Sequence, residues 1–257
     1  MNKKIGLKTT KKEPIMAERI AKYLARCGVA SRREAEKLIA QGRITINGQE
    51  ITTPLYLING DENILFDGEK INKKEKTRLW LYHKPAGLIV SHKDEKNRNT
   101  IFNNLPATLP RVISVGRLDL NSEGLLLLTN DGELSRALEL PSNGWSRRYR
   151  VKVHGHLNLT RLEELEKGTT IDGITYLPCK ITIDSKQATN AWLTISLTEG
   201  KNREIRKLMS SIDLEVARLI RISYGPFQLG SLKEGEVKEI PGKVLKEQLG
   251  KSFKICE

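Results

Sequence analysis

The sequence predicts an α+β chain in two folded units, and three observations carry that prediction. Short apolar runs with strand-like patterning follow one another with few long helical patterns between them, which favours antiparallel pairing over a doubly wound parallel sheet. No Gly-x-Gly-x-x-Gly phrase follows a strand, so the phosphate loop of a dinucleotide-binding or methyltransferase domain is missing. Gly68 to Arg78, with five basic and two acidic residues and few apolar ones, separates two segments that each carry their own apolar pattern. The 257 residues, 38% hydrophobic and 29% charged, suffice for one large domain or two ordinary ones. The expected division is a disordered basic tail at 1–15, a first unit at 16–67, a linker at 68–78, a second unit at 79–242 and a tail at 243–257.

A net charge of +13 favours a polyanionic partner, nucleic acid first, with an anionic membrane surface as the competitor. No apolar run approaches the ~20 residues of a spanning helix, and the lysines near the start lack the apolar stretch of a secretory signal. Cys27, Cys179 and Cys256 are odd in number, far apart and without metal-type spacing, which suits a reducing cytoplasm. His154 and His156 would share a strand face; they are either a surface pair or half of a metal site.

In the first unit Ile20, Leu24 and Cys27 fall at helical spacing, and Gly28 ends that helix. Ser31 and Glu34 form a capping box for a second helix whose inward residues are Ala35, Leu38 and Ile39 and which Gly42 stops. Arg43–Ile46 is a strand, Asn47-Gly48 a hairpin turn and Ile64–Phe66 a further strand. Arg19, Lys22 and Arg26 on one helix, with Arg32 and Arg33 at the start of the next, either grip a phosphate backbone or form a solvated face.

In the second unit Leu79–Tyr82 is a strand, His83–Gly87 a turn, Leu88–Ser91 a second strand and 92–100 a polar, basic loop. Val112–Val115 and Leu125–Thr129 are buried strands. Asn130-Asp131-Gly132 turns into a helix with Leu134, Ala137 and Leu138 inward, ended by Pro141. Arg147–Val153 alternates as a half-buried strand, its polar side presenting cations around Tyr149. Thr160–Lys167 is a helix with a capping box from Thr160 to Glu163, and Trp192–Thr198 a strand. Gly200–Arg203 turns into a helix with Ile205, Leu208, Met209 and Ile212 inward, and Val216–Ile222 is a late buried strand.

Between two of these strands lies Gly116-Arg117-Leu118-Asp119-Leu120-Asn121-Ser122-Glu123-Gly124. Glycine at each end permits a sharp turn, and rigid apolar strands hold both sides. The loop presents Asp119 beside Arg117: a candidate nucleophile with a charge partner, or a turn cap in a structural ion pair. Tyr149 among cations suits a flipped-out base, or is an ordinary strand tyrosine.

The run GRLDLNSEGLLLLTNDG closely resembles the active-site motif of RNA pseudouridine synthases, most of all the branch that modifies single uridines in bacterial ribosomal RNA. HKPAG, EGKNREIRKLM and YGPFQLGSLKEGEVKEI resemble three further motifs of that family, and ERIAKYLARCGVASRREAEKLIAQGRITINGQEI resembles an S4 RNA-binding domain. The resemblance spans residues 17 to 240 in order. It implies the pseudouridine synthase fold, uridine isomerisation without cofactor or metal, and Asp119 as nucleophile. Ser122 stands where the motif usually has threonine and keeps the hydroxyl. The resemblance further implies that Tyr149 packs on the target uracil and that Arg206 pairs with Asp119, with Arg117 as the alternative cation. Lys84, Arg117, Arg147, Arg148, Lys201, Asn202 and Arg203 are expected to contact RNA. The implied partner is ribosomal RNA, as a structured stem-loop or pre-ribosomal particle, met by a cytoplasmic monomer without membrane attachment. Large-subunit (23S) RNA is favoured over 16S by the ending, the linker and the phrases GLIVSHKD and NREIRKLM. A noncatalytic S4-type ribosome-assembly protein is the alternative.

Overall fold

The computed structural model describes residues 17–71, 75–92, 94 and 96–250. The basic tail, Cys256, the centre of the expected linker and the last seven positions therefore lie outside the described residues. The chain divides into two units, Met1–Glu75 and Lys76–Glu257.

The first unit contains β1 (Glu18–Arg19), α1 (Ile20–Arg26), α2 (Arg32–Ala40), β2 (Ile44–Ile46), β3 (Gln49–Ile51), β4 (Leu57–Ile58), β5 (Ile64–Phe66) and β6 (Glu69–Lys70). Both helices form where the apolar spacing places them. Ile20, Leu24, Ala35, Leu38 and Ile39 pack on Ile44, Ile46 and Ile64 of an antiparallel sheet ordered β3-β2-β5-β6. The Ser31 side chain accepts the Glu34 N–H at 3.2 Å and so caps α2. Asn47 and Gly48 both have positive φ, 51° and 84°, as a tight β2–β3 hairpin requires. β6 pairs with β5, and Ile71 packs on this core, so the first part of the expected linker is folded into the first unit.

The second unit is built on a nine-stranded sheet. Its strands and helices are β7 (Leu79–Lys84), β8 (Ile113–Val115), β9 (Glu123–Thr129), α3 (Gly132–Glu139), β10 (Arg147–His154), α4 (Leu159–Glu166), β11 (Thr169–Ile171), β12 (Ile174–Tyr176), β13 (Lys180–Gln187), β14 (Asn190–Leu197), α5 (Glu204–Ser210), β15 (Glu215–Tyr224), β16 (Phe227–Gln228), β17 (Val237–Glu239) and α6 (Gly242–Leu249). The sheet runs β13-β14-β10-β15-β9-β7-β17, with β8 beside β9 and β16 beside β15. Every pairing within it is antiparallel except β9 with β15. The mixed, mainly antiparallel α+β expectation holds.

β9 explains the run of four leucines. Leu126 and Leu128 join the core under α4 and α5, while Leu125 and Leu127 join the core under α3 and α6. A strand covered on both faces has no polar side to show, so it reads as continuous apolar sequence. Each such leucine contributes about 2 kcal/mol of burial.

Several expectations are corrected. β7 continues through His83 and Lys84, so only Pro85–Gly87 turns. Leu88–Ser91 forms no strand; Ile89 makes a lone parallel bridge to Thr100, because the apolar side chains there fill the core while the backbone pairs with the following loop. α4 is capped by Asn158, whose side chain accepts the Arg161 N–H at 3.2 Å, and Thr160 lies inside the helix. Residues 243–249 are not a tail: α6 buries Leu245 and Leu249 against β7 and β9. At the other end, Thr77 donates to Asp131 at 2.6 Å, which ties the close of the expected linker to the second unit. No helix among the described residues is long and apolar enough to cross a membrane.

Candidate active site

The exceptional parallel pairing positions the site. β15 carries Arg221 opposite Gly124 at the start of β9 and opposite Tyr149 on β10. The loop entering β9 therefore lies over the place where three strands converge. A cavity of about 540 Å³ opens there, lined by Arg117, Asp119, Tyr149, Asn202, Arg203, Leu219 and Arg221 among others. That volume suits a small-molecule-sized group such as a nucleoside.

Gly124 is required by this convergence. Its φ is +98°, and a Cβ would overlap the Arg221 carbonyl oxygen and stand 2.7 Å from the Arg221 nitrogen.

The loop's backbone is fixed by cations. Lys84, fully buried, donates from Nζ to the carbonyl oxygens of Ser122 at 2.9 Å, Leu120 at 3.3 Å and Pro85 at 2.9 Å. Arg206 donates to the Asn121 oxygen at 3.0 Å and to the Val216 oxygen at 3.0 Å. Three successive carbonyls, at 120, 121 and 122, are thus held from two directions, which leaves the Asp119 side chain at the cavity. Glu123, next along, takes both nitrogens of a forked contact from Arg218 at 2.8 Å, and that hydrogen-bonded guanidinium holds its carboxyl below the usual range.

Burial pulls the Lys84 ammonium down to about 8, while Asp119 and Glu123 pull the other way. An unfolded lysine keeps its proton to about 10.4. Between those two values the unfolded chain binds more protons, so this group makes stability rise with pH across that window, and the gain is lost as pH falls through about 8. The stability difference between the natural protein and Lys84→Met should therefore move in the natural protein's favour from about pH 8 to about pH 10. Urea denaturation of both across that range measures it, and a difference independent of pH would contradict the burial of a titrating amine.

Asp119, with about a third of its side chain exposed, forms an ion pair with Arg203 at 3.8 Å. The cation at the carboxylate is thus Arg203, rather than Arg206 or Arg117. Arg203 leads into α5 with φ of 51°, a left-handed conformation uncommon outside glycine and asparagine. Burial, with repulsion from Arg203, draws the Arg206 guanidinium down from its ordinary value, and Asp119 opposes that shift.

A family model described as RNA pseudouridylate synthase matches residues 78–211, and one described as the S4 domain matches residues 18–64. The chain belongs to the RNA pseudouridylate synthase family. It is 46% identical over 230 residues to an uncharacterized RNA pseudouridine synthase of Rickettsia felis, covering 90% of this chain and all of that one. It is 38% identical over 243 residues to ribosomal large subunit pseudouridine synthase B of Pasteurella multocida, covering 91% of this chain and 70% of that one. A solved pseudouridylate synthase superposes with a TM-score of 0.63 at 25% identity, covering 90% of this chain and 99% of the other.

In this synthase the expected RNA contacts fall into distinct environments. Arg117, Asn202 and Arg203 are exposed at the cavity. Lys84 is corrected: it braces the loop from inside. Arg147 is also corrected, since it is buried and donates to Tyr224 Oη at 2.8 Å and the Thr198 oxygen at 3.0 Å. Lys201 is held by Glu199 and lies 5.6 Å from the Tyr176 ring centre. Arg148 is exposed on the opposite sheet face from Tyr149, because adjacent strand residues alternate. For the same reason Tyr149 shares its face with Arg147 rather than standing on the polar side.

In the S4 unit Arg19, Arg32 and Arg33 are exposed. Lys22 lies 3.6 Å from Glu18, and Arg26 grips both Glu18 oxygens at 2.8 Å. His154 and His156 are both exposed.

Two cavity residues stand outside the motif-based expectations. Glu204 is 3% exposed, and burial pushes its carboxyl up to about 7, with neighbouring Glu199 adding to the shift against the Lys201 N–H. Arg221 is 2% exposed. The signal for Arg221 is a charged residue at an inward position of the apolar run Leu219–Tyr224.

Proposed function

We propose that this protein isomerises one uridine of large-subunit ribosomal RNA to pseudouridine, acting in the cytoplasm as a monomer on a structured stem-loop or a pre-ribosomal particle. The observation that carries the reading is the meeting of Asp119, Arg203 and Tyr149 at one cavity. Attack at ribose needs a nucleophile, and the Asp119 carboxylate, beside the Arg203 guanidinium, is placed to be it. Extruding the uridine costs a few kcal/mol, which stacking on Tyr149 offsets in part. Arg117 and Asn202 at the rim are suited to phosphates, and the exposed arginines of the S4 unit to RNA backbone. The names of relatives such as that of Pasteurella multocida support the choice of RNA.

Sequencing-based mapping of pseudouridine in both ribosomal RNAs, from cells with and without this protein, tests the reading. One large-subunit position should lose its pseudouridine. A lost position in the small-subunit RNA would overturn the choice of target. Unchanged maps of both would leave the noncatalytic assembly reading in its place.

A further inference from the structure

Arg221 is a buried charge with donors to place. Its Nε donates to the Leu125 oxygen at 2.7 Å, and its guanidinium lies 5.2 Å from the Tyr224 ring centre. Its Nη2 is enclosed and has no hydrogen-bond partner among the described residues. An enclosed donor without an acceptor is costly, more so on a cation, and native structures keep few of them. Yet this side chain lines the cavity of Asp119 and Tyr149. The sheet register sets its neighbours: Tyr149 is directly across on β10, and on β9 stands Gly124, which carries no side chain.

We propose that Arg221 is a further substrate-contacting residue, whose guanidinium donates to a ring carbonyl oxygen of the extruded uracil and holds the negative charge that forms on that ring. This rests on the isomerase reading. A base stacked on Tyr149 turns its edge toward the residue beside that tyrosine, and cross-strand neighbours lie about 5 Å apart. Uracil offers two carbonyl acceptors on its edges; cytosine replaces one with an amino donor, which a guanidinium repels. Phosphates stay outside, since Arg221 is only 2% exposed, while Arg117 and Asn202 stand at the opening.

The chemistry explains why a full charge belongs there. When the bond between N1 and ribose C1′ breaks, its electron pair leaves with the base as a uracil anion, and a carboxylate oxygen of Asp119 bonds to C1′. The anion's charge is shared by the two carbonyl oxygens, so a donor to either gains strength as the bond breaks. Attack of C5 on C1′ then releases the carboxylate; C5 loses its proton and N1 takes one up. The reaction is redox-neutral.

The test uses the full chain with unmodified large-subunit ribosomal RNA transcribed in vitro. Single-turnover pseudouridine formation, RNA affinity and melting temperature are compared for the natural protein, Arg221→Lys and Arg221→Ala. The expected result for Arg221→Ala is a rate at least about 100-fold lower, in the range of losing one charge-stabilising donor, with RNA affinity unchanged. Arg221→Lys should fall between, having the charge without the fork. Millimolar guanidinium should restore part of the Arg221→Ala rate, which a purely structural role would not allow. Rates that fall only with the folded fraction, or folded variants that keep the natural rate, would overturn this inference while leaving the isomerase reading intact. Failure of the natural protein to form any pseudouridine would remove that reading and this one together.

Discussion

Asp119→Asn should lower pseudouridine formation by about 10⁴-fold or more, the scale seen when a nucleophile is removed, while folding and RNA binding stay close to natural. The amide keeps the shape of the side chain and loses its charge and nucleophilicity. Arg203, about half exposed, is then left to water rather than stranded in the interior. An ion pair in such surroundings is worth under about 1 kcal/mol, so the melting temperature should move little. The loop itself is held by Lys84 and Arg206 through backbone carbonyls, which the substitution does not touch. Assay of the purified variant on ribosomal RNA, with parallel binding and melting curves, checks this. Product formation within about 100-fold of natural would deny the nucleophile role. Loss of RNA binding along with activity would show that position 119 supports the fold instead.

Gly124→Ala should be the most damaging small change to stability. The new Cβ meets Arg221 main-chain atoms, which cannot swing away as a side-chain end can, and φ of +98° is itself unfavourable for alanine. β9 would have to leave β15 at the one parallel pairing of the sheet. A loss of about 3 kcal/mol or more is expected, or about 6–12 °C in melting temperature. Gly87→Ala is the comparison: φ is +85° there too, but a Cβ would meet open space. It should cost about 1 kcal/mol. Thermal melts of both by circular dichroism give the contrast, and equal losses would mean that the close strand approach does not matter.

The parts of this fold that were legible in the sequence are those decided locally. Ser31 ahead of Glu34, Asn47-Gly48 and the leucines of 125–128 each carry a short-range physical preference, and each forms the element it favours. The segment Leu88–Ser91 shows the limit, since apolar content reports burial but does not name a backbone partner. Lys84 and Arg147 show it for charge. Both look like surface cations because lysine and arginine are seldom fully buried. What lets them be buried includes carbonyl oxygens brought from 36 or more positions away, that of Leu120 for Lys84 and that of Thr198 for Arg147. Arg203 displaced Arg206 as the partner of Asp119 for a similar reason: the left-handed turn at 203 aims that side chain at the loop, and a φ value is not written in residue spacing. α6 was hidden by its position near the end, where Leu245 and Leu249 look like a tail until α3 and β9 are in place to receive them.

The most direct measurement follows from the bond that must form. If ribose moves from N1 to C5 of uracil, the hydrogen on C5 has to leave. Large-subunit ribosomal RNA transcribed with tritium at C5 of uridine should release one tritium to water per RNA molecule when mixed with the purified natural protein. Over the same interval Asp119→Asn should release almost none. Tritium release by the Asn variant within about 100-fold of the natural rate, or retention of all tritium by a natural protein that binds the RNA, would contradict an isomerase built on Asp119.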